Sequence, residues 1–515
     1  YMKYIFLLIS LFTFNFLQAQ VTGVVKDAAG EPIPGANVFW MNTTNGVTTN
    51  EDGNFSIHKP ARSHMLVVSF IGFENDTIHV DKGNQQLDIV LREGVELSEV
   101  NVVTRKLGTM KLRTSVMNED MISSAELTRA ACCNLGESFV TNPSVDVSYS
   151  DAATGAKQIK LLGLSGTYVQ MMTENIPNFR GAAAPYGLGY VPGPWMQSIQ
   201  VSKGSSSVKN GYESITGQIN VEFKKPQLPE ADWVSANLFA SSTNRYEANA
   251  DATVKLSKRW STSLLAHYEN ETKSHDSNDD GFVDIPRVEQ YNVWNRWAYM
   301  GDHYVFQAGI KALHETRNSG QIAHGNTPSH DLYEIGIKTN RYEAFTKNAY
   351  IFDKEKNTNL ALILQGTLHN QDANYGRKLY DVDQSNFYAS LLFETELSKQ
   401  HSLSAGLSFN YDGYDQNYRL TNQAEEGLTK KFVKESVPGA YVQYTFNLND
   451  QLMLMGGIRG DYSSEYGFFV TPRAHVKYNP NEYLHFRLSA GKGYRTNHVL
   501  AENNYLLASS RKMKI

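Results

Sequence analysis

Residues 132–225 read CCNLGESFVTNPSVDVSYSDAATGAKQIKLLGLSGTYVQMMTENIPNFRGAAAPYGLGYVPGPWMQSIQVSKGSSSVKNGYESITGQINVEFKK, and the rest of the chain has a different composition. Short apolar runs predict strands at 158–162, 168–172, 199–202 and 219–223, with a tip at 173–181 and a Gly/Pro-rich loop at 181–194. A segment of about 100 residues this rich in Gly and Pro cannot bury a large core alone. We therefore expect it to sit inside a larger structure, with an ordinary α+β domain as the alternative.

From Ala231 onward the sequence alternates with a period of two. In His401 to Tyr411, apolar and aromatic residues occupy one face, and Ser, Gly and Asn occupy the other. The alternation recurs at 246–256, 452–462, 468–478 and 484–490, and the chain has 29 Tyr with a mean hydropathy of -0.42. Alternating strands with abundant aromatic residues are typical of an antiparallel transmembrane β-barrel. We expect about thirteen strands, the last reaching about Tyr494.

The connections between these strands fall into two classes. Short polar turns are expected at 257–259, 301–303, 398–400 and 479–482. Long connections are expected at 273–290, 317–337, 371–384 and 415–435. Short periplasmic turns and long outer loops are the usual arrangement in such barrels.

The N-terminal region has two parts. Residues 1–20 have a lysine, a short apolar core and a small residue near the end, which indicates a secretory signal peptide. Residues 21–92 alternate β-branched residues with turn signals and predict about seven short strands in a small β-sandwich.

At this point two resemblances are evident. The order of parts in 132–225, closed by GYESITGQINVEFKKP, resembles the plug domain of TonB-dependent outer-membrane receptors. GVVKDAAGEPIPGANV, followed by GNFSI and LVVSFIGF, resembles the carboxypeptidase regulatory-like domain that precedes many Bacteroidetes receptors. The resemblance implies a mostly all-β fold made of a β-sandwich (21–92), a TonB box and linker (93–104), an α+β plug (105–226) and a partial transmembrane barrel (227–515).

The resemblance also implies a place and partners for the protein. The barrel would lie in the outer-membrane lipid with the N-terminal domain in the periplasm, and the TonB-ExbB-ExbD complex would supply energy. A full barrel of this type has about 22 strands, so thirteen strands ending in RTNHVLAENNYLLASSRKMKI, with the character of an outer loop, lead us to expect a truncated fragment that fails to insert alone.

The segment EGVELSEVNVVT matches the TonB box in character and position. An extended segment with unpaired backbone groups lets a partner add it as a strand and pull on it. An eighth strand of the sandwich is the alternative. The predicted TonB-binding residues are Glu99, Val100, Asn101, Val102, Val103 and Thr104.

The ligand site follows from the resemblance. If the plug apex lies at 173–181, six plug residues would face the ligand: Met171, Met172, Glu174, Asn175, Asn178 and Arg180. Packing of the two methionines against the barrel wall is the alternative. Three histidines expected in outer loops join the set, although solvated loops also contain histidine by chance: His314, His324 and His330.

Two metal sites are also expected. The neighbouring Cys132 and Cys133 are too close for an unstrained disulfide, so they are either small buried hydrophobes or soft-metal ligands. DSNDDGFVD at 276–284 has calcium-loop spacing, with Asp276, Asn278, Asp280 and Asp284 as oxygen ligands. Arg287 stands where an EF-hand has its bidentate Glu, which excludes a helix-loop-helix sensor, and a solvated acidic hairpin is the alternative.

Composition and motifs exclude other functions. No HExxH or GxSxG motif occurs, which argues against an enzyme, and the formal charge of -5 argues against a nucleic-acid partner. We expect active import of a scarce ligand with no required cofactor. Strand spacing projects to a receptor of ordinary size and favours a metal chelate: a siderophore, haem, cobalamin or copper. A glycan or peptide importer with a surface lipoprotein is the alternative, and a passive porin would lack the plug and the box.

Overall fold

The protein is described here from a computed structural model. It describes residues 20–91 except 28–29, 42–45, 51, 61–63, 71–72, 74–75 and 81–85. It also describes residues 109–511 and 513, except 113–114, 131–132, 141, 227–232, 323–331, 423–426, 449–450 and 482–483. The chain divides into two compact units, 1–107 and 108–515.

The first unit is a small two-sheet structure. Its strands β1 to β7 are Gln20–Lys26, Asn37–Trp40, Gly46–Thr48, Asn54–His58, Met65–Ser69, Asp76–His79 and Gln86–Val90. One sheet has the order β4-β1-β7 and the other β3-β2-β5-β6. Val21 and Val25 of β1 pack with Trp40 and Leu66 in one core, and all four side chains are fully buried. The prediction of about seven strands in a small sandwich is confirmed for the described residues.

The second unit begins with a mixed α/β region. Strands β8 to β16 are Thr109–Lys111, Asn118–Ser123, Val145–Asp151, Ala156–Leu161, Leu164–Ser165, Val169–Thr173, Ile176–Pro177, Met196–Lys203 and Gly217–Phe223. Helix α1, Ser124–Arg129, starts after Ser123, whose hydroxyl accepts the Glu126 N–H at 3.4 Å. Six strands form a sheet of order β14-β13-β16-β15-β9-β8, and β10-β11-β12 form a second sheet. Short 3-10 turns fill the Gly/Pro-rich stretch between β14 and β15.

The remaining strands form one antiparallel sheet in chain order. Strands β17 to β29 are Trp233–Ala240, Arg245–Lys255, Trp260–Glu271, Arg287–Met300, Tyr304–Gly320, Glu334–Asp353, Thr358–Tyr375, Lys378–Ser398, His401–Arg419, Thr429–Leu448, Leu452–Ser463, Gly467–Asn481 and Leu484–Gly491. This sheet thus has thirteen described strands, the number that the alternation predicts. No helix among the described residues is long and apolar enough to cross a bilayer.

This sheet is polar on its inner face and apolar on its outer face. In β20, Asn292 and Arg296 are buried, whereas Val293 and Trp297 are 45% and 41% exposed. A soluble protein buries its apolar side chains, so the reversed alternation indicates a sheet whose outer face meets lipid. The inner face meets the mixed α/β region, since Trp294 of β20 packs edge-on against Phe223 of β16.

The tight turns expected at 257–259, 301–303 and 398–400 are observed, whereas β28 continues to Asn481 and residues 482–483 lie outside the described part of the chain. The long connections are shorter than predicted. The connection predicted at 371–384 was wrong, because β23 continues to Tyr375 and β24 starts at Lys378 after a two-residue turn at Gly376 (φ +61°). The predictions at 317–337 and 415–435 were also too long, since β21 runs to Gly320 and β25 to Arg419. At these strand ends the apolar side chains, such as Ile335, Ala373 and Val382, point inward and are buried, so the alternation is reversed while the ladder continues.

Strand β29 ends at Gly491, before the predicted Tyr494. The segment after it, which was predicted to be an outer loop with no returning strand, forms no further strand in its described part. It contains helix α2, Val499–Glu502, and Leu500 and Leu507 are buried in the same apolar cluster as the plug-region residues Trp195 and Tyr190. Its short apolar run is buried against the enclosed region.

Candidate plug and ligand site

The hairpin β13–β14 turns on two residues with left-handed backbone, Glu174 (φ +50°) and Asn175 (φ +62°). Such pairs fit the twist of a tight hairpin, although Glu is less suited to them than Asn. The Asn175 N–H donates to the Asn220 side chain at 2.8 Å and the Glu174 N–H donates to the Val221 carbonyl at 2.9 Å. The neighbouring strand β16 therefore holds this turn in place.

The turn lies against the wall of the large sheet. The Glu174 carboxylate is 2.7 Å from the Arg296 guanidinium and 3.7 Å from Lys347 Nζ. Arg296 also donates to the Lys224 carbonyl at 2.7 Å and lies 4.6 Å from the Trp294 ring. The glutamate predicted to face a ligand thus forms a buried ion pair with the wall.

Asn178 makes a second contact with the wall. Its side-chain oxygen accepts from Arg341 at 2.6 Å, and its amide nitrogen donates to Glu343 at 3.0 Å. Asn178 and Arg341 are both buried. Because one amide satisfies a cation and a carboxylate together, this contact fixes the side chain closely.

Arg180 is the centre of a charged chain. It pairs with Glu213 at 2.9 Å and with Asp412 of β25 at 3.2 Å. Arg495 binds the same Glu213 at 3.0 Å and Glu502 of α2 at 2.6 Å. The network joins the enclosed region, the wall and the segment after β29.

A cavity of about 170 Å³ lies beside this network. Three predicted ligand residues line it together: Met171, Asn178 and Arg180. Glu213 and Arg495 also line it, so the cavity presents charges of both signs beside an apolar thioether. Met172 is fully buried. Contact of any of these residues with a ligand stays a prediction.

Sequence reasoning missed Arg473 of β28, which is buried on the inner face. Its guanidinium donates to the carbonyls of Ser206, Ser207, Tyr212 and Ser214 at 3.1–3.3 Å. One side chain thereby donates to four backbone carbonyls of the same loop. The available signal was an arginine on the polar side of an alternating strand.

Of the three histidines predicted in outer loops, only His314 lies among the described residues. His314 was expected in a loop, which was wrong: it lies within β21, between the buried Leu313 and Glu315. Alternation therefore points His314 away from the enclosed region, and its Nδ1 is 2.7 Å from the Asn340 side-chain oxygen. His324, His330 and the whole predicted TonB box (99–104) lie outside the described residues.

Cys133 is buried, and Cys132 lies outside the described residues. Burial raises the pKa of the Cys133 thiol well above its usual range, and the cation of Arg245 only partly opposes this. The thiol form is a poor metal ligand. Within the described ranges, no group of three or more His, Cys, Asp or Glu residues is arranged to hold a metal ion.

The acidic segment 276–284 forms a closed loop. Asp276 accepts the N–H groups of Asp280 and Gly281 at 3.1 and 2.9 Å, and Asp280 accepts that of Phe282 at 2.9 Å. Asp284 accepts the Ser277 N–H at 2.7 Å, which lowers the pKa of its carboxyl. These carboxylates turn toward the loop's own backbone, and calcium binding stays a prediction.

An antiparallel sheet with a lipid-type outer face, enclosing a domain bound to its inner wall by ion pairs, defines a plugged outer-membrane receptor. Family models match in the same order: a CarboxypepD_reg-like domain at 21–103, a TonB-dependent receptor plug domain at 111–218 and a TonB-dependent receptor-like β-barrel at 201–507. The chain belongs to the TonB-dependent receptors of the outer membrane.

Similar proteins include the TonB-dependent receptor SusC of Bacteroides thetaiotaomicron, 28% identical over 245 residues, which are 45% of this chain and 24% of SusC. The TonB-dependent receptor P39 of Formosa agariphila is 39% identical over 100 residues, 19% of this chain and 10% of that protein. The matched regions thus span a quarter or less of these relatives.

Solved structures share the fold at low identity. The alcaligin outer-membrane receptor FauA of Bordetella pertussis has a TM-score of 0.59 at 15% identity, covering 75% of this chain and 66% of that one. The siderophore receptor PirA of Acinetobacter baumannii has a TM-score of 0.61 at 15% identity, covering 75% and 63%.

Proposed function

We propose that the full-length protein actively imports a scarce ligand across the outer membrane. The observation that best supports this proposal is that the barrel wall contacts the plug at several separate places. These contacts are made by Arg296, Arg341, Asp412 and Arg473. A plug bound in this way blocks the lumen, so a bulky ligand passes only when these contacts are displaced. Breaking buried ion pairs costs several kcal/mol, about 3–5 each by loss of one partner, and therefore needs an energy source.

We infer that the TonB-ExbB-ExbD complex supplies this energy by pulling the box at 99–104. A strand added at the box transmits force along the chain toward the plug. The process moves a ligand and changes no bond, so we assign no enzymatic role and no required cofactor.

For the ligand, we propose a metal chelate. The cavity beside Met171 and Arg180 offers guanidinium groups, carboxylates and an apolar wall, which suit the charged and organic parts of a chelate. A glycan or peptide delivered with a surface lipoprotein is the competing class, and uptake measurements separate the two.

The test is the proline variant Val102→Pro in the full-length receptor, expressed in a strain that lacks the native gene. Proline removes a strand donor from the box, so uptake of labelled ferric, haem, cobalamin or copper chelates should fall to the level of the deletion strain. Surface binding of the same ligand should remain. Undiminished uptake by the variant would show that the segment 99–104 is not needed for import. Uptake of labelled oligosaccharides or peptides in place of chelates would show that the ligand is not a metal chelate.

A further inference from the structure

The first unit carries a row of sulfur and imidazole side chains that belongs to neither the plug nor the barrel. Met65 of β5 pairs with His79 of β6. On the other side of β5, Trp40 pairs with Leu66, and the Met41 N–H donates to the Met65 carbonyl at 2.9 Å. This bond extends the ladder by one residue and sets Met41 opposite Met65. Met41, Met65 and His79 therefore lie side by side across three strands.

The row lies on the outer face of its sheet. Leu66 and Val68, on either side of Val67 in β5, are fully buried in the core of the unit. Because successive side chains in a strand point to opposite faces, Met65 points away from that core. Met41 and Met65 are partly buried and His79 is exposed.

The chemistry of the row selects a particular ion. Directly opposite residues in an antiparallel ladder have Cβ atoms about 4.5–5.5 Å apart, and the flexible Met side chain brings its sulfur within reach of a common centre. Thioether sulfur is a soft ligand that selects Cu(I), and imidazole also suits copper. We propose that Met41, Met65 and His79 form a three-ligand site for a soft monovalent cation, Cu(I).

The neighbours of the row favour a monovalent over a divalent ion. The His64 ring stacks on the His79 ring, with centroids 6.0 Å apart and planes 18° apart. Lys59 Nζ lies 3.0 Å from His64 Nδ1. A lysine ammonium can only donate, so this nitrogen of His64 accepts. The nearby ammonium repels a divalent cation twice as strongly as a monovalent one.

The test is titration of the full chain in detergent with Cu(I) against a chromophoric Cu(I) chelator, with Ag(I) as a redox-stable probe. Met41→Leu with Met65→Leu removes both sulfurs at nearly constant volume, so the fold should be kept. We expect the double variant to bind one Cu(I) fewer than the parent. His79→Gln should weaken the site by about tenfold or more, because even loss of an outer partner of a ligand costs that much.

The matched control is Met453→Leu with Met455→Leu, which removes two sulfurs from β27 of the barrel and should leave this Cu(I) in place. A second readout is mass spectrometry of peroxide oxidation, in which Ag(I) should protect Met41 and Met65. Equal Cu(I) affinity in the parent and the Met41/Met65 variant would overturn the site. So would equal oxidation of these methionines with and without Ag(I), or loss of the ion only in the Met453/Met455 control variant.

Discussion

At the scale of single residues, buried charges attach the plug to the wall. Glu174 and Arg296 have side chains only 3% and 1% exposed, and their atoms approach to 2.7 Å. A pair of this kind adds little over an apolar pair, but removal of one partner leaves an unpaired charge in the interior. The same logic applies to Asn178, whose amide joins Arg341 and Glu343.

We predict that Arg296→Ala destabilises the receptor by about 3–5 kcal/mol, because Glu174 then remains buried without its closest cation. The free energy of unfolding is measured by urea titration followed through tryptophan fluorescence. The matched control is Arg259→Ala, whose partner Asp302 is 2.7 Å away but 74% exposed, and which should cost at most about 1 kcal/mol. Equal losses in the two variants would show that burial of the pair does not matter.

At the scale of elements, the loop 272–286 between β19 and β20 is closed by its own carboxylates. Asp276, Asp280 and Asp284 each accept a backbone N–H across the loop. This closure satisfies donors that a tight loop otherwise leaves to water. The closure also brings several carboxylates close together, and carboxylate oxygens are the ligands that Ca²⁺ prefers.

The closure should depend on pH through Asp284. Its pKa is lowered in the folded protein by the Ser277 N–H, so the bond is fully present above the ordinary aspartate pKa of about 3.9 and is lost as pH falls through the lower folded value. Hydrogen exchange at Ser277, corrected for intrinsic rates, should therefore show constant protection from neutral pH to about 4. In Asp284→Ala the protection should be absent at every pH. Loss of protection well above pH 4 in the parent would contradict the assignment.

Calcium should protect the same loop in the full-length receptor. We predict slower cleavage between β19 and β20 by proteinase K with calcium than with chelator, since the ion neutralises clustered aspartates. Asp280→Ala should abolish the difference, whereas Asp302→Ala, in a turn at the opposite ends of the strands, should preserve it. Identical cleavage of the parent with calcium and with chelator would show that calcium does not bind this loop.

At the scale of the whole molecule, the plug touches the wall on many strands. Ser207 contacts Gln443 of β26 at 2.6 Å, far along the sheet from the Glu174 contact on β20. Import as proposed requires the plug to leave at least part of this surface.

We predict that Ser207→Cys with Gln443→Cys, in a background with Cys132 and Cys133 replaced by Ala, forms a disulfide that blocks uptake. Ligand binding should persist, and reductant should restore uptake. The control pair Asn210→Cys with Gln218→Cys joins two plug residues now 3.0 Å apart through their side chains and leaves the plug free of the wall. Full uptake through the oxidised Ser207/Gln443 tether would show that the plug keeps this contact during import.

The sequence alone determined the kinds of element in this protein. Alternation of polar and apolar residues is local, so it marked the thirteen strands of the large sheet, and Gly/Pro-rich stretches marked the region of short strands and 3-10 turns. The tertiary structure decided the partners. No local pattern named a partner for Glu174, whereas the left-handed turn at Glu174 and Asn175 brings its carboxylate to Arg296, 122 residues away in sequence. The course of 371–384 and the packing of Leu500 were likewise decided by ladder pairing and burial between distant segments, which no local pattern records.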